Sequence, residues 1–421
     1  MRTRIAGALG LAAVLALAGC GSSGTGEGGG QNTSSGGGAV TLKMVAADYG
    51  SDPNAENAGA KFWKGIVDEF QAANPNIKID VQVINWNDID KQVATMVQNG
   101  QPPDILQTGG YSGFVQDRLL HKVDEVLSPN VQQDLLTKFA DFGKVDGVAY
   151  GIPFVSSARG LFYNKELFDK AGIAEPPKTW DELKAAAEKL KKSGVSQPFG
   201  LPLGQEEAQG ESFLWFLGAG GGYKDASGKW AINSPQNIEA FTFMKGLVDA
   251  GLTTPNPGTK DRKTVWEDFA AGKVGMVNGG PMSIPIFDEG SVKDKYGVAP
   301  IAGKTGALDT TLGVMDWIMA FNKNNHPAEI KKFFDFFYTG NAVQKIVDNY
   351  KLLPVTKGGI EKLSGDEKLK PFLDGLPNAS FYPFTDPKWP AVQDTIKQTI
   401  GGAVEDPAKV LGELQKAAET G

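Results

Sequence analysis

The chain has 421 residues, 41% hydrophobic and 22% charged, the balance of a soluble globular protein. Its net charge of −7, with the signs interspersed, argues against a nucleic-acid partner. One cysteine, Cys20, and two distant histidines, His121 and His326, leave no basis for a disulfide, a cysteine or histidine metal site, or a Ser-His triad. The histidines are expected at the surface or at caps.

Residues 1–19 read as a secretory leader: basic Arg2 and Arg4, an apolar run from Ile5 to Leu17, then small residues. The apolar run is shorter than the roughly 20 residues that span a bilayer. Leu17-Ala18-Gly19-Cys20 resembles a bacterial lipobox, which implies that Cys20 is lipidated and begins the mature protein. Residues 20–40, rich in Gly and Ser from Gly21 to Gly38, then form a flexible tether. No later segment holds 18 consecutive apolar residues, so the membrane is met only through the lipid.

The body opens with a strand, Leu42 to Ala46, ending at Ala47-Asp48-Tyr49-Gly50. Helical spacing follows at Phe62, Ile66 and Phe70. Ile77, Ile79, Val81 and Val83 alternate as a half-buried strand that runs into Asn85-Trp86-Asn87. A second helix carries Ile89, Val93 and Val97 and stops at Gly100, before a short strand, Asp104 to Leu106, and the turn Gln107 to Tyr111. This strand–helix alternation predicts a mostly parallel α/β sheet. Ligands of such sheets bind beyond the carboxyl ends of strands, which selects the turns at Asp48, Trp86 and Thr108.

A second α/β unit begins near Ala149-Tyr150-Gly151-Ile152-Pro153, followed by a strand from Gly160 to Asn164. Thr179-Trp180-Asp181-Glu182 has the form of a capping box, and Ser234-Pro235 that of a second helix start. Val274 to Val277 reads as a short buried strand, Trp317 to Phe321 as another, and Pro327 to Tyr338 as a helix.

Taken together, Pro103-Asp104-Ile105, Leu161 to Phe168 with Pro176 to Leu183, Ala219-Gly220-Gly221, Phe269 to Met276 and Trp389-Pro390-Ala391-Val392 resemble extracytoplasmic solute-binding proteins of sugar-importing ABC transporters. The likeness covers residues 41–421. It implies a two-lobed periplasmic-binding-protein-like α/β fold (type II), each lobe a mixed, mostly parallel sheet flanked by helices. Lobe 1 would comprise 41–151 and 299–352, and lobe 2 would comprise 152–298 and 353–421. Crossings are expected near 149–154, 297–302 and 350–356, with the ligand in the cleft between lobes and closure by hinge bending.

A sugar presents hydroxyls that need hydrogen-bond partners and C–H faces that suit aromatic rings. Lobe 1 candidates are Asp48, Tyr49, Asn85, Trp86, Thr108, Gly109 and Tyr111, together with the acid/platform pair Asp316-Trp317. Lobe 2 offers Ser157, Arg159, Glu206 (within Gln205-Glu206-Glu207), Asn278, Gly279, Gly280 and Trp389. Maltodextrin binders place a carboxylate near position 157–159 and a tryptophan after Gly-Pro. This chain has Ser157, Arg159 and Gly280-Pro281-Met282 instead, which weighs against a long α-glucan.

The resemblance implies a monomeric, non-catalytic receptor that needs no cofactor and hands a mono- or oligosaccharide to an ABC permease. A lipid-anchored glycoside hydrolase is the alternative; it needs two carboxylates about 5–9.5 Å apart. A third reading keeps the fold but binds a polyamine, an oxyanion or ferric iron.

Overall fold

The computed structural model describes residues 39–49, 59–86 and 88–420. The leader, Cys20, the tether as far as residue 38, and Asn87 lie outside the described residues. Strand β1 (Val40–Ala47) starts one residue before the expected domain boundary. It is followed by α1 (Gly59–Ala73), β2 (Ile77–Ile84), α2 (Ile89–Gln98) and β3 (Ile105–Thr108). β2 keeps strict inside–outside alternation over its first four residues because it is the edge strand, with one face in water. Gly100, at φ 67°, supplies the left-handed residue just beyond α2.

β4 (Gly151–Ser157) and β5 (Gly160–Asn164) follow with only Ala158 and Arg159 between them. Next come α3 (Trp180–Lys192), β6 (Gln197–Gly200), α4 (Ala208–Gly218), α5 (Pro235–Asp249), α6 (Arg262–Ala270), β7 (Val274–Gly279) and β8 (Tyr296–Ala299). β9 (Val314–Ala320), α7 (Pro327–Thr339), α8 (Ala342–Tyr350), α9 (Trp389–Thr399) and α10 (Pro407–Thr420) complete the larger elements. The capping box forms as the sequence predicts. Thr179 Oγ1 accepts from Glu182 N at 3.1 Å, and Glu182 accepts from Thr179 N at 3.2 Å. Ser234 likewise caps α5, with Pro235 in its first turn.

Among the described residues two large sheets result, ordered β2-β1-β3-β9-β4 and β8-β5-β7-β6, beside a small hairpin of Lys144–Val145 and Val148–Ala149. β1 pairs parallel with β2 and β3, whereas β9 is antiparallel to both β3 and β4. In the second sheet only β6 and β7 are parallel. Both sheets are therefore mixed, because strands arriving from the other sheet enter in the opposite direction.

Alternation assigns the faces of the first sheet. Leu42, Met44, Ala46, Ile318 and Ala320 pack with α1, α7 and α8. Val45, Ala47, Leu106, Trp317 and Met319 face an apolar cluster that also takes in Phe162, Trp266 and Phe269 of the second sheet's layer. The other face of the second sheet (Leu161, Phe199, Met276) packs against α3, α4, α5, α9 and α10.

The passages between sheets differ from those expected. β4 belongs to the first sheet, so the chain changes sheets at Ala158-Arg159 rather than at residue 152. β8 lies wholly within the second sheet, and the return is made just before β9, beyond the expected 297–302. Side-chain and backbone bonds tie the passages together. Thr311 Oγ1 accepts from Arg159 N at 2.7 Å and donates to Arg159 O at 2.8 Å. Ser156 and Leu353 exchange backbone bonds of 2.8 and 2.7 Å.

Candidate functional site

Three strand exits of the first sheet meet one strand start. Asp48 and Tyr49 follow β1, Trp86 follows β2, Gly109 follows β3, and Asp316 is the third residue of β9. The β9–β4 register shifts between Asp316 and Trp317, which pair with Val155 and Pro153, leaving Phe154 unmatched. Such a bulge re-aims side chains and is common beside functional sites.

The Asp316 carboxylate accepts a 2.5 Å hydrogen bond from Tyr49 OH, which in turn accepts from Gln107 Nε2 at 3.0 Å. Gln107 Oε1 accepts from Ala47 N at 3.0 Å, so the relay is anchored in β1 and β3. Burial pushes the Asp316 carboxyl up to about 7, against the opposing Tyr49 hydrogen bond; the charge of Glu207 adds to the rise and that of Arg159 offsets it. Burial, reinforced by Asp316, raises the Tyr49 phenol as well. Trp86, 37% exposed, is set edge-on to the Tyr49 ring at 5.4 Å. A Cβ on Gly109 would sit 3.7 Å from the Trp86 ring and 4.0 Å from Asp316, so these groups share one neighbourhood.

Two more first-sheet candidates are engaged locally. Thr108 Oγ1 donates to Asp90 Oδ1 at 3.0 Å, and Asn85 Nδ2 donates to Asp88 at 2.6 Å. Asp48 lies against the start of α1, where a Cβ on Gly59 would come within 2.5 Å of its carboxylate. A carboxylate is favourable at that helix end. Asp90 carries the link across to α9. Its carboxyl is raised by burial, with Thr108 opposing, and it feels the charges of Asp394 and Lys397.

Opposite lies a chain of charges. Arg159 Nη2 forks onto Glu207 at 2.9 and 3.2 Å, and its Nη1 donates to Ser157 Oγ at 2.7 Å and to Ala158 O at 3.2 Å. Arg262 pairs with Glu207 and also reaches Glu206 at 2.5 and 3.0 Å. Glu206 was the residue expected inside, yet its side chain is 40% exposed while that of Glu207 is 10% exposed. Two adjacent glutamates point different ways at the start of α4, and Glu207 is the inner one. Glu211, one turn on, is buried and accepts from Trp215 Nε1 and Asn278 Nδ2, each at 2.9 Å.

Several expected contacts are structural. Trp317 is fully buried on the face opposite Asp316, edge-on to Tyr111 at 5.1 Å, so it offers no platform. Tyr111 is 5% exposed and donates to Gly143 O in that same core. Trp389 is covered by Tyr382 (stacked, 5.3 Å) and Trp230 (stacked, 6.4 Å). The Asn278 amide is taken up by Glu211, and Gly279 is packed under Phe162. Gly280 leaves room for Arg159; a Cβ there would lie 2.9 Å from Nη1. Glu207, Glu211, Gln107, Asp90, Arg262 and Tyr382 lie in the same neighbourhood, though none was a candidate from the sequence. Of these, only Glu207 carried a local signal, the Gln205-Glu206-Glu207 cluster.

The charge balance limits the chemistry. Arg159 and Arg262 are matched by Glu206 and Glu207, while Asp316, Asp90 and Glu211 form no ion pair among the described residues. Among those residues no group of His, Cys, Asp and Glu is placed to hold a metal ion, and no helix is long and apolar enough to cross a membrane.

Comparison with known proteins agrees with this architecture. Residues 52–344 match the family model of the bacterial extracellular solute-binding protein. A binding protein of Brucella abortus (strain 2308) is 31% identical over 362 residues, 84% of this chain and 85% of that one. The maltotriose-binding protein of Pyrococcus abyssi (strain GE5 / Orsay) is 26% identical over 372 residues, 82% of this chain and 75% of that one. The fold of maltose-bound MalE3 of T. maritima superposes with a TM-score of 0.77 at 20% identity, covering 90% of this chain and 99% of the other. This chain belongs to the bacterial extracellular solute-binding protein family.

Proposed function

We propose that this protein is the substrate-binding component of a carbohydrate ABC importer, capturing a mono- or oligosaccharide between its lobes by hinge closure and delivering it to a membrane permease. The observation that carries the reading is the meeting of Tyr49–Asp316 and an exposed Trp86 on one side with Arg159–Glu207 on the other. Carboxylates, hydroxyls and an exposed aromatic ring suit the rim and face of a sugar. The charge balance favours a neutral ligand over an anion, because both guanidinium groups are already paired with glutamates. The maltotriose-binding relative points the same way. Neither this family nor these contacts supplies a reason to expect turnover, and a receptor accounts for them without it.

Titration with a panel of mono- and oligosaccharides, read as thermal shift and calorimetry, tests the reading, since a ligand of the native state alone raises the melting temperature. Binding without product is the expected result; cleavage would establish the hydrolase instead. Asp316→Asn should weaken the best ligand about 10- to 100-fold, the worth of a hydrogen bond to a charged group. An unchanged dissociation constant would remove Asp316 from the site.

The family places the protein outside the cytoplasm. We infer further that it is held at the outer face of the cytoplasmic membrane by lipid on Cys20, acting as a monomer whose only membrane contact is that lipid. Each buried CH₂ of an acyl chain adds about 0.8 kcal/mol, so more than one chain makes a lasting anchor. Cys20→Ser should release the protein into the medium with its sugar affinity intact. Retention on the membrane would contradict the anchor.

A further inference from the structure

The ring of Tyr382 is held among neighbouring aromatic rings. It stacks on Trp389 at 5.3 Å, meets Phe384 edge-on at 5.5 Å and leans on Phe213 at 5.7 Å. The residue is 3% exposed, yet its hydroxyl has no hydrogen-bond partner among the described residues. A buried hydroxyl left unpaired is destabilising, and native proteins keep very few. Phenylalanine would fill the same aromatic box without that penalty, so packing alone does not account for the oxygen.

The direction of the hydroxyl is informative. It reaches the first turn of α4, where a Cβ on Gly210 would lie 2.7 Å from it and 2.9 Å from Cγ and Cδ of Glu207. Glu207, Arg159 and Arg262 are close enough to act on it electrostatically, and Glu207 and Arg159 act in the same way on Asp316. The hydroxyl therefore points at the charge cluster facing Asp316. Its placement is also tied to the passage between sheets. Two residues earlier, Ser380 donates its N–H to Thr311 O at 2.9 Å and accepts from Gly313 N at 2.8 Å. Tyr382 is held in register with Arg159 through Thr311.

We propose that Tyr382 is a specificity-determining residue whose hydroxyl, beside Glu207, binds one hydroxyl group of the saccharide. A sugar hydroxyl is both donor and acceptor; it accepts from Tyr382 OH while donating to the Glu207 carboxylate. A site that hydrogen-bonds a substrate hydroxyl rejects the analogue that lacks it far better than an apolar pocket does. The assignment rests on the sugar-receptor reading and deepens it.

Tyr382→Phe tests the assignment, with two readouts that a purely structural tyrosine would move together. Calorimetry with the best saccharide of the panel should give about tenfold weaker binding, one hydrogen bond's worth. Melting of the ligand-free variant should occur at the same temperature as the parent or higher, because an unpaired buried hydroxyl has been removed. Among monodeoxy analogues of that sugar, one should bind parent and variant equally. Unchanged affinity for the intact sugar would overturn the proposal. So would a lower ligand-free melting temperature with uniform weakening toward every analogue, since that would make the hydroxyl a structural bond. If the parent itself binds no saccharide, the receptor reading falls and this assignment falls with it; sugar binding by the parent with an indifferent variant overturns the assignment alone.

Discussion

Trp317→Ala lowers the free energy of unfolding by about 3–5 kcal/mol, as expected for emptying a large aromatic site in a core, and leaves the sugar affinity of the folded variant unchanged. The neighbouring Asp316 gives the opposite pattern. The difference follows from strand geometry, because successive residues of β9 face opposite sides of the sheet. Trp317 has no exposed surface, and Tyr111 meets it edge-on. Gly143 closes the same pocket, where any Cβ would run into the Trp317 ring and the Tyr111 hydroxyl. Such a tight site has little freedom to collapse around a cavity, which favours the upper part of the range. Urea unfolding at equilibrium measures the loss, and calorimetry with the best sugar measures the affinity. A variant that stays stable but fails to bind would return Trp317 to the cleft.

What the sequence disclosed and what it hid divide along physical lines. Local signals were readable. The alternation of β2, the Thr179–Glu182 capping box and the Ser234-Pro235 helix start are each written in a few adjacent residues. The strand-exit rule selected the turns at Asp48, Trp86 and Thr108, and Tyr49, Trp86 and Gly109 do gather beside Asp316 there, because a turn after a parallel strand is both local and positionally constrained. Sheet membership was not readable for β4, whose seven residues are all buried and so carry no periodicity. The bulge beside Asp316 depends on pairing with Val155 and Pro153, about 160 residues away in the chain and reached only through the fold. Aromatic residues were the weakest guide. Trp86 is exposed, whereas Tyr111, Trp317 and Trp389 are filled in by Gly143, by one another or by Tyr382. An aromatic near an element end has the right composition for either role, and only its neighbours decide which.

Glu211→Gln should separate from the parent protein in stability as pH rises from about 4 to 7, by about 4 kcal/mol across that window. Burial raises the Glu211 carboxyl to about 7, with Trp215, Asn278 and Arg159 opposing the rise and Glu207 adding to it. The ordinary value for an unfolded glutamate is about 4.3. Between these limits the native state holds a proton that the unfolded chain has released. The sign is therefore negative, and Glu211 costs the parent more stability with each step up in pH until its native carboxyl ionises. Below the window both states are protonated and above it both are charged, so the gap is flat at each end. Glutamine reproduces the neutral acid. Its carbonyl oxygen can still accept from Trp215 Nε1 and Asn278 Nδ2, the two bonds that Glu211 Oε1 now holds at 2.9 Å. The Asp316 contribution has the same sign, but it is common to both proteins and cancels in the difference. Urea unfolding at unit pH steps from 4 to 8 gives the two curves. Parallel curves would mean that the native Glu211 carboxyl titrates where the unfolded one does, its hydrogen bonds and Arg159 fully offsetting burial. Divergence would establish that the second lobe carries a carboxyl poised between its two states near neutral pH. An extracytoplasmic protein meets such changes in its surroundings directly, and this carboxyl fixes Asn278 near the end of the strand that pairs with β5, just after Arg159.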